Sequence, residues 1–419
     1  MKVAAAILAA AAAGLVALVG VAAVSARPVL FLGAGLAVFL TAAAAGVALA
    51  TRGRPRQPRR QRVVAFAVGT LAGVAVFTVT ALLPTGDARL PPPPVGGQRF
   101  WRLPTGSRIA YVRVPARATP RRTPVVFLHG GPGVADMAGD AAYFGQLARD
   151  GYDVWVYDQV GTGRSSRLRD PRQYTIARDV ADLEAIRQRI GADRLVLIGH
   201  SWGAQVAAGY MAAHPTHVAK AVFVSPGALA PALDDGSGGL VRGRLITRQQ
   251  LGLYALLLRP RVLLAYSLLQ VNPEAAHAFV GDAEMDARND RVYNHSRPAL
   301  HCRGAPVGPA LHGLGFYANQ FPQSAAARPW ADPRPRLARQ TTPALVVKGA
   351  CDYMSWSSAV AYRQALPRAE LVYLHRAGHN AYQDQPAAFL ATVRAFLAGR
   401  PLPVAPWTAG VPPDYEGPP

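Results

Sequence analysis

The sequence predicts an α/β protein in which a mostly parallel sheet is flanked by helices, with membrane-spanning helices ahead of it. From about residue 98, short β-like runs alternate with amphipathic helical stretches, which is typical of a parallel sheet covered by helices. Before that point lie three apolar, uncharged runs. Each has the roughly 20 residues that a helix needs to cross a bilayer.

The three apolar runs cover residues 3–24, 28–50 and 63–83, which makes residues 1–83 a predicted membrane anchor. They lack the polar face of a surface helix, so they suit lipid better than the core of a water-soluble protein. The first run also fits a cleaved signal peptide, because Lys2 precedes it and the small residues Val24, Ser25 and Ala26 end it. The sequence leaves both readings of the first run open.

The charge of the chain is concentrated near these runs. The formal net charge of the 419 residues is +21, of which residues 1–122 carry +15 and the rest only +6. A strongly basic chain raises the question of nucleic acid, but an excess beside apolar runs indicates a membrane instead. Arginines crowd the connector between the second and third runs, at Arg52, Arg54, Arg56, Arg59, Arg60 and Arg62. The positive-inside rule keeps this connector cytoplasmic and predicts a multi-pass protein of the cell membrane, with residues 84 onward outside the cytoplasm.

The remaining chain divides by composition. A Pro-rich linker over 84–97 leads into a core predicted at 98–225 and 341–400. The stretch 226–340 breaks the alternation of strand and helix and is predicted to be a helical lid above the strand ends. Residues 401–419 form a Pro-rich tail. Within the core, residues 98–103 and 107–114 predict an antiparallel hairpin, and six further runs predict sheet strands.

The strongest chemical signal is the motif Gly199-His200-Ser201-Trp202-Gly203, which lies between an apolar strand and a helical stretch. In that context a GxSxG motif predicts a nucleophile elbow, a sharp turn that exposes the serine at the carboxyl edge of the sheet. Glycines at both ends let neighbouring backbone pass closely. Ser201 is therefore the predicted nucleophile.

A serine nucleophile needs a base, and the base needs an orienting carboxylate. Asp352 follows the strand run 343–349, and His379 follows the run 370–375, so each stands just after a late strand. Asp332 precedes its strand and Asp384 lies beyond the histidine, which makes both weaker candidates. The predicted catalytic residues are therefore Ser201, Asp352 and His379.

Acyl transfer also needs donors for the negative oxygen of the tetrahedral intermediate. The motif His129-Gly130-Gly131-Pro132-Gly133 directly follows the strand run at 125–128, where glycines can direct backbone N–H groups into a pocket. We assign the oxyanion hole to the backbone amides of Gly131 and Trp202.

With these motifs the chain resembles the α/β-hydrolase superfamily and, within it, the proline iminopeptidase-like serine aminopeptidases. The resemblance covers residues 98–400 and rests on HGGPG at 129–133, DQVGTGRS at 158–165, GHSWG at 199–203, Asp352 and the Gly378-His379 pair. Two positions depart from the family pattern, which usually has Arg where Val160 stands and often Gly where His200 stands. The departures put narrow proline specificity in doubt more than the chemistry.

The resemblance implies an aminopeptidase that removes N-terminal residues from short peptides through an acyl-enzyme. Family members bind the free α-amine with carboxylates of the lid, and the lid here offers Asp282, Glu284 and Asp286, of which Glu284 is the leading substrate-binding candidate. An esterase, or a hydrolase of a small secreted metabolite with the same triad, stays open as an alternative. A binding protein without catalysis is disfavoured by the complete triad. The prediction includes no metal, no cofactor, no nucleic acid and no obligate protein partner.

The chain has two cysteines, Cys302 in the predicted lid and Cys351 beside Asp352. Their spacing does not form a zinc motif. A disulfide that pins the lid to the acid loop and a pair of free thiols are both compatible with the sequence.

Overall fold

The computed structural model describes residues 2–51, 59–84, 92–236 and 243–419. Half of the predicted cytoplasmic arginine cluster, Arg52, Arg54 and Arg56, lies outside the described residues. So do half of the Pro-rich linker, at 85–91, and a short part of the predicted lid, at 237–242.

The centre of the molecule is one eight-stranded sheet in the order β1-β2-β4-β3-β5-β6-β7-β8. The first two strands form the predicted antiparallel hairpin, and β2 pairs antiparallel with β4, whereas all other pairs are parallel. This confirms the predicted fold class. The strands are β1 (Arg99–Arg102), β2 (Arg108–Val114), β3 (Val125–Leu128), β4 (Val154–Tyr157), β5 (Leu195–His200), β6 (Val218–Val224), β7 (Ala344–Gly349) and β8 (Ala369–Leu374).

Helices cover both faces of the sheet. The central strands β3, β5 and β7 are buried over their whole length, as expected for parallel strands with helices on either side. Alternate residues point to opposite faces, so Leu197 belongs to one buried apolar cluster and Ile198 to another. The helices of the core are α4 (Met137–Phe144), α5 (Ile176–Ile190), α6 (Trp202–Ala213), α13 (Trp356–Ala365), α14 (Ala381–Asp384) and α15 (Pro386–Ala398).

The predicted lid lies between β6 and β7 and is mostly helical. A long helix, α10 (Asp282–Ser296), runs through it and carries several buried charged side chains, including Asp286 and Asp290. The lid helices are α7 (Thr247–Leu257), α8 (Pro260–Val271), α9 (Pro273–Phe279), α10 (Asp282–Ser296), α11 (Phe316–Gln320) and α12 (Arg334–Leu337).

The N-terminal region contains α1 (Lys2–Val24), α2 (Pro28–Thr51) and α3 (Arg59–Phe77), and α3 continues as a π-helical turn over Thr78–Leu82. Within α1 and α2, the segments Val3–Val24 and Pro28–Leu49 are long and apolar enough to cross a membrane. The two helices pack closely through glycines: a Cβ at Gly14 would lie 2.8 Å from the Gly35 carbonyl oxygen. Small residues at such a crossing are typical of helix pairs in lipid.

The C-terminal tail folds back over the core. The Trp407 amide donates to the Leu371 carbonyl on β8, and the Glu416 amide donates to the Ala350 carbonyl just after β7. The tail therefore covers the loop that carries Asp352.

Candidate active site

Ser201 lies at the turn between β5 and α6, and its backbone conformation is unusual for a residue with a side chain. Its φ is 53° and its ψ is −112°, a strained combination of the kind found at functional sites. The flanking glycines are required by close packing, since a Cβ at Gly199 would clash with the Gly203 carbonyl. This is the geometry of a nucleophile elbow.

Asp352 and His379 meet at the carboxyl edge of the sheet. The His379 Nδ1 atom lies 2.8 Å from Asp352 Oδ1, and the Asp352 side chain is fully buried. The two residues follow β7 and β8, adjacent parallel strands whose carboxyl ends point the same way. This hydrogen bond leaves the His379 Nε2 atom as the ring nitrogen that can exchange a proton.

His200 connects the elbow to the histidine loop. The His200 Nε2 atom lies 3.0 Å from the His379 carbonyl oxygen, and the two rings lie 4.8 Å apart. Burial lowers the pKa of His200 to about 3, so its ring is neutral and donates to that carbonyl.

Within the described chain, the Ser201 hydroxyl and the His379 ring are not hydrogen-bonded to each other. Such contacts are often long in enzymes without substrate.

Lys348 is the other partner of Asp352. Its Nζ atom donates to Asp352 Oδ2 at 2.8 Å and to the Met354 carbonyl at 3.0 Å, and its side chain has no exposure. Burial alone would raise the pKa of Asp352, but the charges of Lys348 and His379 and their hydrogen bonds hold that pKa well below its usual range. The carboxylate therefore stays ionised.

The glycine loop after β3 lies directly against the elbow. A Cβ at Gly130 would lie 3.1 Å from the Ser201 Cβ atom, and a Cβ at Gly203 would clash with the Leu128 carbonyl. The loop turns at Gly131, where φ is +121°. Trp202 is the first residue of α6, and its amide has no intrahelical acceptor. The loop with Gly131 and the first turn of α6 are thus brought together beside Ser201.

Buried polar groups fix the loops on this side of the site. The His129 Nε2 atom accepts a 2.9 Å hydrogen bond from the Gln159 amide, and burial lowers the pKa of His129 to about 4. The Trp202 indole donates to Asp179 Oδ2 at 3.0 Å. Burial raises the pKa of Asp179 to about 7, against the effect of that indole bond.

The segment Leu300–Cys302 of the lid is bonded to the loop that carries Asp352 and to the loop that carries His379. Cys302 and Cys351 form a disulfide, which decides between the two states that the sequence left open. The Leu300 carbonyl accepts the His379 amide at 2.8 Å. His301 Nδ1 lies 2.6 Å from Asp384 Oδ1, and the other oxygen of Asp384 accepts the Gly378 amide.

Glu284 lies on α10 with its carboxylate already paired. Its two oxygens accept hydrogen bonds from the Arg261 guanidinium at 2.8 and 3.0 Å. Asp286, also on α10, pairs with Arg167 at 2.8 Å. In the acid loop itself, the Tyr353 ring lies 4.6 Å from the His379 ring.

One group of side chains in the described part of the chain has the spacing of metal ligands. Glu184, His214 and His217 present ligand atoms within 4.8 Å of one another. His214 and His217 follow the C-terminal end of α6, and Glu184 lies on α5. Glu184 already accepts hydrogen bonds from Arg187 and the Tyr210 hydroxyl. A cation there would compete with the Arg187 guanidinium for the carboxylate.

Sequence reasoning missed three parts of this site. Lys348 reads as one residue of an apolar strand, Asp179 as the first turn of a helix, and Leu300 as an apolar lid residue. No motif marks any of them. The apolar surroundings of the single lysine in β7 were the one available signal, because a buried lysine requires a partner.

The fold and this site define the class of protein, and comparison with known proteins agrees. Residues 123–386 match the family model of the alpha/beta hydrolase fold, and the chain belongs to this family.

Its relatives include proline iminopeptidases. The one of Levilactobacillus brevis is 27% identical over 71% of this chain and 95% of its own length. The one of Heyndrickxia coagulans is 37% identical, but over only 30% of this chain and 42% of its own length. Among solved structures, VinJ is similar in fold, with a TM-score of 0.53 and 19% identity over 73% of this chain and 99% of that one. The chain is therefore a hydrolase enzyme with proline iminopeptidase-like homologues.

Proposed function

We propose that this hydrolase is a membrane-anchored serine aminopeptidase that removes N-terminal residues from short peptides. The observation that carries the proposal is the Asp352–His379 hydrogen bond beside the strained Ser201 turn. The proline iminopeptidase homologues, two of which align over nearly their whole length, support a peptide substrate.

The proposed reaction proceeds in two acyl-transfer steps. The Ser201 Oγ atom attacks the carbonyl carbon while His379 Nε2 takes its proton, and Asp352 stabilises the resulting imidazolium. The amides of Gly131 and Trp202 donate to the carbonyl oxygen as it becomes negative. His379 then gives the proton to the leaving amine, and the C–N bond breaks to leave an acyl-Ser201 ester. Water hydrolyses the ester by the same route.

The same proposal includes recognition of the substrate α-amine by Glu284, although Arg261 already binds this carboxylate. The carboxylate is neutralised by a guanidinium that binds both of its oxygens. A substrate ammonium must therefore displace Arg261 or share the carboxylate with it. The substitution Glu284→Gln is expected to raise KM for free-amine substrates and to leave KM for N-acetylated ones unchanged.

The proposal places the catalytic domain outside the cytoplasm. The apolar helices α1 and α2 supply membrane-spanning length, and the arginines of the following connector favour the cytoplasmic side. The Cys302–Cys351 disulfide supports an oxidising compartment for the lid. The third predicted span, helical over Arg59–Phe77, belongs to the proposed anchor. External protease should cleave the catalytic domain in intact cells, and protection in cells shown to be accessible would contradict this orientation.

The experiment that tests the substrate class compares three sets of arylated substrates. Aminoacyl arylamides with a free amine, their N-acetyl forms and simple aryl esters are assayed with the full-length protein in detergent or liposomes. The proposal expects the free-amine amides to have the highest kcat/KM and acetylation to lower it. Equal rates with and without acetylation, or cleavage of esters alone, would replace the aminopeptidase by the esterase alternative.

A further inference from the structure

The lid rests directly on the ends of the N-terminal helices. The Arg261 guanidinium of α8 donates to the Leu82 carbonyl at 2.6 Å, at the end of the π-helical turn that follows α3. The side-chain Nδ2 atom of Asn272 donates to the Ala22 carbonyl, near the end of α1, at 2.8 Å. The Phe279 ring of α9 packs edge-on against Phe31 near the start of α2. The lid therefore contacts all three helices at the ends opposite the arginine-rich connector.

Next to these contacts the lid presents apolar side chains to the outside. The helices α7 and α8 meet at an angle of 73°, and together they are as long and apolar as a membrane span. The exposed fractions of Leu251, Leu258 and Leu263 are 65%, 62% and 45%. The exposed set also includes Ile246, Tyr254 and Val271. Exposed apolar side chains grouped on two successive helices indicate an interaction site, because exposing them to water is unfavourable.

The charged residues within this segment have one sign. Residues 246–271 contain no acidic residue and three arginines. Arg261 is buried on Glu284, whereas Arg248 and Arg259 are exposed. An apolar face bordered by arginines is the pattern of helices that lie in the interface of a bilayer, where the guanidinium groups reach the phosphates.

We infer that α7 and the start of α8 lie in the outer leaflet of the same bilayer that holds the N-terminal helices. The inference rests on the proposed membrane anchoring. Helix α7 has 11 residues, about 16 Å of helix, which is half of the roughly 30 Å hydrocarbon thickness. It therefore lies in the interface without crossing it. The occupant is lipid and not a second protein, because the Arg261–Leu82 and Asn272–Ala22 hydrogen bonds hold α8 against the ends of the helices that the proposal places in the bilayer.

The test uses a fluorophore at single introduced cysteines in the full-length protein. Both native cysteines are in the disulfide, so Leu258→Cys offers one free thiol for an environment-sensitive dye. The matched controls are Val411→Cys in the tail, which is 45% exposed, and Leu15→Cys in α1, which is 51% exposed. Each labelled protein is reconstituted into liposomes with or without phospholipid carrying a nitroxide on its acyl chain.

The inference expects nitroxide lipid to quench the dye at position 258 at least about twofold more than at position 411, with a blue-shifted emission. Quenching at position 15 but not at 258 would overturn the lid inference while the anchoring stands. No lipid quenching at either 15 or 258 would overturn the anchoring and the inference with it. A dye at 258 that is protected from iodide, insensitive to nitroxide lipid and dependent on protein density would indicate a second copy of the chain instead.

Discussion

The sheet core and the lid position their candidate functional residues in different ways. In the core, Ser201, Asp352 and His379 each follow a parallel strand, so the sheet itself brings them to one edge. In the lid, position depends on individual bonds, such as the Cys302–Cys351 disulfide and the pairing of Arg261 with Glu284. The core geometry follows from chain order and strand direction, whereas the lid geometry follows from side-chain pairs that are distant in sequence. Changes in the core should therefore affect the chemical step, and changes in the lid should affect stability and substrate binding.

The largest expected effect is on the core. The substitution Asp352→Asn removes the negative charge that orients and stabilises the His379 ring, and kcat should fall by about 10⁴-fold. The matched control is Asp332→Asn, an exposed carboxylate paired with Arg334, for which kcat should stay unchanged. Steady-state kinetics on one aminoacyl arylamide measures both. A loss of less than about tenfold for Asp352→Asn would mean that the carboxylate is not part of the catalytic machinery.

The next largest expected effect is a loss of stability when the disulfide that attaches the lid is removed. The disulfide closes a segment of 49 residues, and its loss should lower the free energy of unfolding by about 4 kcal/mol through the entropy of the unfolded chain. The double substitution Cys302→Ala with Cys351→Ala is compared with the native protein by denaturant unfolding, with and without reductant. Reductant should destabilise the native protein and leave the double variant unchanged. A double variant as stable as the native protein would show that the other lid contacts suffice.

The smallest expected effect is a pH dependence of the free energy of unfolding, caused by Asp179 in the core. Burial raises the pKa of Asp179 from 3.8 to about 7 in the folded protein. Between those values the folded chain keeps a proton that the unfolded chain has lost, so the free energy of unfolding falls as pH rises from about 4 to about 7. The variant Asp179→Asn keeps an acceptor for the Trp202 indole but cannot titrate. Its thermal unfolding midpoint should depend less on pH over this range, and an unchanged slope would contradict the assignment.

The contrast between the core and the lid also explains which parts of the structure the sequence predicts. The eight strands, the elbow at Ser201 and the loop positions of Asp352 and His379 all follow from local pattern and chain order. The pairing of Glu284 with Arg261, 23 residues away, does not, because it depends on how α8 packs against α10. The pairing of Lys348 with Asp352 cannot be predicted from the sequence for a similar reason, because it depends on how the loop after β7 turns back over the strand end.

The most direct test of the account asks which atom is the nucleophile. A fluorophosphonate forms a phosphorus–oxygen bond with an activated serine and expels fluoride, while the serine proton passes to the base. The account predicts one adduct per chain, located on the peptide that contains Ser201 by mass spectrometry. The adduct should be absent in Ser201→Ala and much slower to form in His379→Ala. A folded native protein that forms no adduct, or forms it at another residue, would contradict the assignment of Ser201, Asp352 and His379 as the catalytic triad.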